Sequence, residues 1–252
     1  MYRHSLVVRA THWGAALCLL VLAMSGFQIF NAHPALYWGN RSDRPIFTMA
    51  QTRVATGALP GLTVFGHRVP GLSVREGFPG WATIPSYRSL ALGRRWHFFF
   101  AWLLAIDGVV FVVGSVLNRH LTRELVPSPH DLKTLPDSIR QHLTLHAPSE
   151  WRRRYNALQK LAYTLVVLVL GPLVVLSGLA MSPAMDAALP WLPAAFGGRQ
   201  SARTVHFLIT FAFVLFTIVH LVMVTATGPI DNLRSMITGW MRMPAAPERD
   251  AS

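Results

Sequence analysis

The chain has 252 residues, of which 52% are hydrophobic and only 13% charged, and its mean hydropathy is +0.37. A water-soluble domain carries about 25% charged residues, so this composition excludes an ordinary soluble fold and points to a bilayer. The formal charge of +12 flanks apolar runs rather than forming a basic stripe with interleaved aromatics, which argues against a nucleic-acid partner. The single cysteine, Cys18, excludes an internal disulfide, a CxxCH haem attachment and a thiolate-held iron–sulfur cluster.

Four apolar runs approach or exceed the ~20 residues that a spanning helix needs. The first, near 11–30, opens on polar Thr11 and His12, and no small-residue cleavage site follows it. It therefore reads as a span and not as a cleaved signal. The connection 31–95 is punctuated by Leu59-Pro60-Gly61, Val69-Pro70-Gly71 and Phe78-Pro79-Gly80, which predicts irregular structure. A connection of that length is usually functional or partner-bound.

The second run lies near 96–117, the third near 157–180 and the fourth near 204–226. Gly14, Gly26, Gly108, Gly114, Gly171 and Gly178 recur within the runs, where small residues let helices or a flat cofactor come close. After the fourth, Ile230, Leu233, Ile237, Trp240 and Met241 fall on roughly one face, predicting a short interfacial helix. Residues 243–252 read as a disordered tail. The predicted fold is all-α and integral to the membrane: a four-transmembrane-helix bundle forming a single domain over 1–242.

Four spans put both termini on one side. The connection between spans two and three carries Arg119, Arg123, Arg140, Arg152, Arg153 and Arg154 and is more basic than the one between spans three and four. The positive-inside rule then predicts N-in, C-in, with 31–95 outside.

Of the 11 histidines, His4, His33, His67, His120, His130, His142 and His146 fall in flanks or loops. His12, His97, His206 and His220 fall within spans, where an ionisable side chain is a functional hypothesis by default. His206 and His220 lie 14 positions apart on the fourth span. At ~100° per residue that is about 40° short of four turns, so both leave one face, separated by roughly 21 Å of rise. By depth, His97 can meet only His206, near the outer side, and His12 can meet only His220, near the inner side. Two imidazoles converging from different helices, in two layers, suit two bis-histidine b haems. Zinc wants four close ligands, and neither layer offers a third. The alternative is four histidines bonded to neighbouring hydroxyls and carbonyls.

Haem propionates would need cationic partners. Arg94, Arg95 and Arg203 lie beside the outer pair and Arg9 a turn from His12. The same arginines also read as ordinary headgroup contacts. Asp107 lies roughly 15 Å deeper than His97 along span two, a position for proton movement or for a protonated carboxyl bonded to a neighbouring helix.

With this histidine pattern in place, the chain resembles the bacterial cytochrome b561 superfamily. It is most similar to the di-haem b subunits of nickel–iron hydrogenase, formate dehydrogenase and thiosulfate reductase. The stretch Arg154-Tyr155-Asn156-Ala157-Leu158-Gln159-Lys160 resembles a YNAxQK segment of formate dehydrogenase cytochromes. Ser177-Gly178-Leu179-Ala180-Met181-Ser182-Pro183 and Gly197-Gly198-Arg199-Gln200-Ser201-Ala202-Arg203-Thr204-Val205-His206 are further likenesses. The resemblance covers all four spans. It implies a bacterial inner-membrane subunit that passes electrons between quinone and a periplasmic oxidoreductase, through an outer haem on His97 and His206 and an inner haem on His12 and His220.

By position, Asn156, Gln159 and Lys160 would lie beside the quinone, although a helix cap and snorkelling first turn explain them equally. The long first connection resembles that of b-type cytochromes serving molybdopterin partners of the sulfite-oxidase type. Arg41, Arg44, Arg53, Arg68 and Arg75 would then dock an acidic partner, or the loop merely covers the haem. Two rival functions remain open at this stage. One is a stand-alone superoxide:quinone oxidoreductase, and the other a haem-free membrane binding or transport protein.

Overall fold

The computed structural model describes residues 2–49, 62–69, 77–118, 126–143 and 157–241. In chain order its helices are α1 (Leu6–Ala32), α2 (Leu90–Leu117), α3 (Pro129–Lys133), α4 (Leu135–Leu143), α5 (Ala157–Thr164), α6 (Gly171–Ala180), α7 (Pro183–Ala188), α8 (Trp191–Ala195), α9 (Arg199–Ala226) and α10 (Pro229–Thr238). Four helical stretches, Leu6–Ala32, Leu90–Leu117, Ala157–Ala180 and Arg199–Ala226, are long and apolar enough to cross a membrane. Three of them begin five or six residues before the apolar run does. Their first turns hold Arg9, Arg94 with Arg95, and Arg199 with Arg203, polar residues whose long side chains can reach the membrane surface from a helix end. Along α2, Phe98, Trp102, Ile106, Val109 and Val113 are each more than half exposed, a stripe for lipid contact.

The third stretch is not uniform. A π-helical segment, Leu165–Leu170, joins α5 to α6. Pro172, in the first turn of α6, lacks an N–H, and in a regular α-helix its ring would clash with the Leu168 carbonyl. The wider π turn relieves that conflict.

The described residues of the first connection include short strands that the sequence does not announce. Strands β1 (Ala35–Leu36), β2 (Phe47–Thr48), β3 (Thr63–Val64) and β4 (His67–Arg68) form an antiparallel meander in the order β1-β2-β3-β4. Two-residue strands carry no alternation to read from sequence. At the β3–β4 turn Phe65 (φ 49°) and Gly66 (φ 79°) both have positive φ, the geometry of the favoured two-residue hairpin loop.

The chain divides into two compact units. The first comprises Met1–Trp13, Val109–Thr164 and Leu215–Ser252. Within it the two chain ends are tied together. Tyr2 bridges Trp240, and the Arg3 N–H donates to the Gly239 carbonyl at 2.8 Å. Trp13 Nε1 donates to the Met236 carbonyl at 3.2 Å. Helix α10 stops at Gly239 (φ 86°), a left-handed residue whose N–H returns to the Ser235 carbonyl. On α10 and just after it, Ile230, Leu233, Ile237 and Trp240 are exposed as an interfacial face would be, whereas Met241 is buried and accepts from Arg3 Nη1.

The second unit comprises Gly14–Gly108 and Leu165–Val214. The first turn of α9 is capped from outside by the loop after β1. The Gln200 and Ser201 N–H groups point at the Gly39 carbonyl (3.1 and 3.3 Å), and the Arg199 N–H donates to Asn40 Oδ1 at 3.2 Å. Those donors would otherwise be orphans of the helix start. Gly198 (φ 119°) has no room for a side chain, since a Cβ would lie 2.5 Å from the Gly39 carbonyl oxygen. A small core of Ala180, Leu192 and Ala202 packs α6, α8 and α9 together. Among the described residues the largest fully buried side chains are serines, Ser25, Ser177, Ser201 and Ser235, rather than large hydrophobes. Close helix contact through small residues is how membrane helices pack.

Candidate functional site

The four intramembrane histidines fall into the two pairs that depth had suggested, one in each unit. In the second unit the rings of His97 (α2) and His206 (α9) have centroids 6.0 Å apart with planes at 64°. In the first, His12 (α1) and His220 (α9) have centroids 6.2 Å apart with planes at 54°. Two metal–nitrogen bonds of about 2 Å, with about 1 Å from each ring centre to its nitrogen, bring two axial imidazoles to about 6 Å between centres. Both centroid separations match that spacing. Among the described residues no group of three or more His, Cys, Asp or Glu gathers.

The protonation of the His97–His206 pair follows from its neighbours. His206 Nδ1 lies 3.0 Å from the Val174 carbonyl and 3.1 Å from Ser177 Oγ. A carbonyl only accepts, so Nδ1 carries the hydrogen and Nε2 keeps its lone pair. His97 has a similar neighbour on α1: its Nδ1 lies 3.1 Å from Ser25 Oγ, whose O–H donates to the Leu22 carbonyl at 3.2 Å. Both rings thus present a bare Nε2, the atom a haem iron takes. Two glycines make room for them. A Cβ at Gly26 would lie 3.4 Å from His97 Cε1, and one at Gly178 would lie 3.3 Å from His206 Cε1. Aromatic rings line the same unit: Phe27 stacks on Phe78 at 4.0 Å, and Phe30 meets Phe207 at 4.6 Å.

The His12–His220 pair is held differently. Among the described residues His12 Nδ1 is buried without a hydrogen-bond partner, and so, elsewhere in the same unit, are Arg9 Nε and Ser115 Oγ. Buried polar atoms are almost always paired, so each of these leaves a valence open to a bound group or water. His220 stacks on Phe216 at 5.8 Å, and Phe216 meets Tyr163 of α5 edge-on.

The other predicted residues divide. Arg203 leans over the Phe30 ring and donates from Nη2 to the His33 carbonyl at 2.6 Å. Arg94 lies over Phe98, and Arg94 and Arg95 are exposed. Gln159 and Lys160 lie on the first turn of α5, and Asn156, with Arg53, Arg75 and the Arg68 side chain, lies outside the described residues. Asp107 rests against α1, where a Cβ on Gly14 would come within 2.5 Å of its Oδ1. His33, beyond the end of α1, bonds through Nε2 to Tyr37 Oη, and burial and then the Arg203 charge push its pKa down.

Lys160 is already engaged. Its Nζ lies 2.8 Å from Asp131 Oδ2, each side chain being 16% exposed. The Lys160 hydrogen bond holds the Asp131 carboxyl low, at about 2, with Ser128 assisting. A carboxyl depressed from its usual ~3.9 contributes stability above about pH 4, and that contribution falls away as the pH drops toward 2. Thermal unfolding of Lys160→Met in detergent should therefore differ from the parent by about 1 kcal/mol or less at neutral pH, and by nothing near pH 2.

Sequence reasoning missed Ser25 and Ser177. The repeated Ser-Gly dipeptide, Ser25-Gly26 and Ser177-Gly178, was the available signal.

With this geometry established, comparison with known proteins decides the family. The family model described as prokaryotic cytochrome b561 matches residues 3–239. The chain belongs to that family. It is also 28% identical to a protein of Azospira oryzae named for subunit YedZ1 of a protein-methionine-sulfoxide reductase, over 92% of this chain and 93% of that one. No solved structure matches the chain at a significant level. Family membership together with four apolar spanning helices makes this a multi-pass membrane protein that binds b-type haem and transfers electrons. The haem-free transport reading gives way to that membership.

Proposed function

We propose that this chain is the di-haem membrane subunit of a bacterial inner-membrane oxidoreductase. It exchanges electrons with quinone on the inner side and with a periplasmic partner on the outer side. The observation that carries the reading is the pairing itself: His97 with His206 and His12 with His220, both at the spacing of two axial imidazoles. Bound haem supplies one-electron chemistry at each pair. The chain's own residues hold the rings, fix the outer tautomer and surround the sites with apolar side chains. Arg9, with its buried Nε, is the inner propionate partner, and Arg203, Arg94 and Arg95 serve the outer side. Gln159, Lys160 and Asn156 form the quinone end, with Lys160 leaving Asp131 to engage it.

The reductase name of the Azospira oryzae relative supports a partnered subunit over a stand-alone superoxide:quinone oxidoreductase. It also supports electron flow outward from quinol. In this reading residues 31–95 form the docking surface for a molybdopterin-type partner, with Arg41 and Arg44 facing its acidic groups. The termini lie inside.

The test is a pyridine haemochrome assay with protein quantitation on detergent-purified chain, where about two b haems per chain are expected. One haem would remove one pair from the proposal, and none, after expression with ample haem, would end it. A bulky substitution at a cradle glycine gives a second check. Gly178→Leu directs new atoms at the His206 ring. It should lower the haem count by about one per chain, with the remaining haem spectrally unchanged.

A further inference from the structure

We infer that Ser25 and Ser177 are paired positioning residues that fix the two outer imidazoles and lower the potential of the outer haem selectively. This rests on the two-haem reading above.

The two environments match residue for residue. On α1, Ser25 Oγ donates to the Leu22 carbonyl at 3.2 Å, accepts from His97 Nδ1 at 3.1 Å, and is followed by Gly26 against the ring. On α6, Ser177 Oγ donates to the Val174 carbonyl at 3.1 Å, accepts from His206 Nδ1 at 3.1 Å, and is followed by Gly178 against the ring. In each case a carbonyl, a hydroxyl three residues on and a missing Cβ four residues on form one cradle on a helix surface. Both serines are fully buried.

The hydrogen bonds run one way. Because each Ser O–H is committed to the carbonyl three residues earlier, its oxygen has only lone pairs to offer the ring, so the imidazole N–H must donate. An axial imidazole that donates its other N–H to an acceptor becomes a stronger base toward the metal. A stronger donor favours the ferric state and lowers the midpoint potential. At the inner pair this device is absent from His12, whose Nδ1 is buried and unpartnered. The ligand environment is therefore asymmetric between the layers, with both outer rings braced.

Ser25→Ala and Ser177→Ala each remove one acceptor oxygen and add no volume. Potentiometric titration of the purified, haem-loaded chain should show the outer-haem potential raised in each variant, less in Ser177→Ala because the Val174 carbonyl still accepts from His206 Nδ1 at 3.0 Å, and raised further in the double variant. The inner-haem potential should stay unmoved. The low-spin electron paramagnetic resonance signal of the outer haem should shift as its ring planes relax, and outer haem should pass to apomyoglobin about tenfold faster or more. A merely space-filling serine would leave both potential and signal as they were, and that result in both variants overturns the inference. Because the cradles are on different helices, a variant that fails to accumulate leaves the other to test the same claim. A chain that binds two haems yet shows unmoved potentials rejects the cradle alone, whereas a parent chain without haem rejects the reading beneath it.

Discussion

Replacing His97 and His206 together by alanine is expected to halve the b haem content and leave one haem with an unchanged spectrum. Each histidine pair has its contacts within its own compact unit. His97 and His206 are braced by α1 and α6 residues of the second unit, and His12 and His220 lie among α1, α5 and α9 residues of the first. The ring contacts of His12 and His220 among the described residues are with Trp13, Phe216 and each other, all of the first unit. Single substitutions are expected to give the same end point more weakly, because one remaining imidazole still offers a bare Nε2. The measurement is haem per chain together with the reduced spectrum of what remains. Simultaneous loss of both haems would show that the sites assemble as one. Retention of both would mean that the 6.0 Å spacing of His97 and His206 has another cause.

Much of this was legible in the chain, because the features that set it are one-dimensional. The spans follow from apolar run length, and the pairing of histidines follows from helix rise and the side on which each span starts. What escaped was set by packing. Ser25 and Ser177 look like any helix serines until two other helices bring His97 and His206 against them. The four strands of the first connection are two residues each, too short for any pattern. Helix starts were placed late because Arg94, Arg95, Arg199 and Arg203 lower local hydropathy while still continuing the helix. The π segment at Leu165–Leu170 follows from Pro172, visible in sequence as a helix breaker but not as the particular turn that accommodates it. Lys160 reads as a free cation in sequence, and only the fold places Asp131 on it.

The complementary double substitution, His12→Ala with His220→Ala, has the larger functional consequence. The outer haem should remain and should still be reduced by dithionite, while its reduction by a quinol is expected to be lost. The first unit carries groups suited to a quinone site. It holds the orphaned Arg9 Nε and Ser115 Oγ, and it brings Tyr163 of α5 through Phe216 to the His220 ring. Helix α5 also carries Gln159 and Lys160, the residues that the resemblance places at quinone. If quinol delivers electrons there, the inner pair is the obligatory first acceptor, and its removal separates quinol from everything beyond it. Dithionite, a small diffusible reductant, needs no such route, so it reports whether the outer site survived. Stopped-flow absorbance at the haem Soret band, with quinol and dithionite run in parallel, separates the outcomes. Normal quinol reduction of the outer haem in this variant would move the quinone site to the second unit. The cluster of Phe27, Phe30, Phe78 and Phe207 would then be the surface against which a quinone ring could stack.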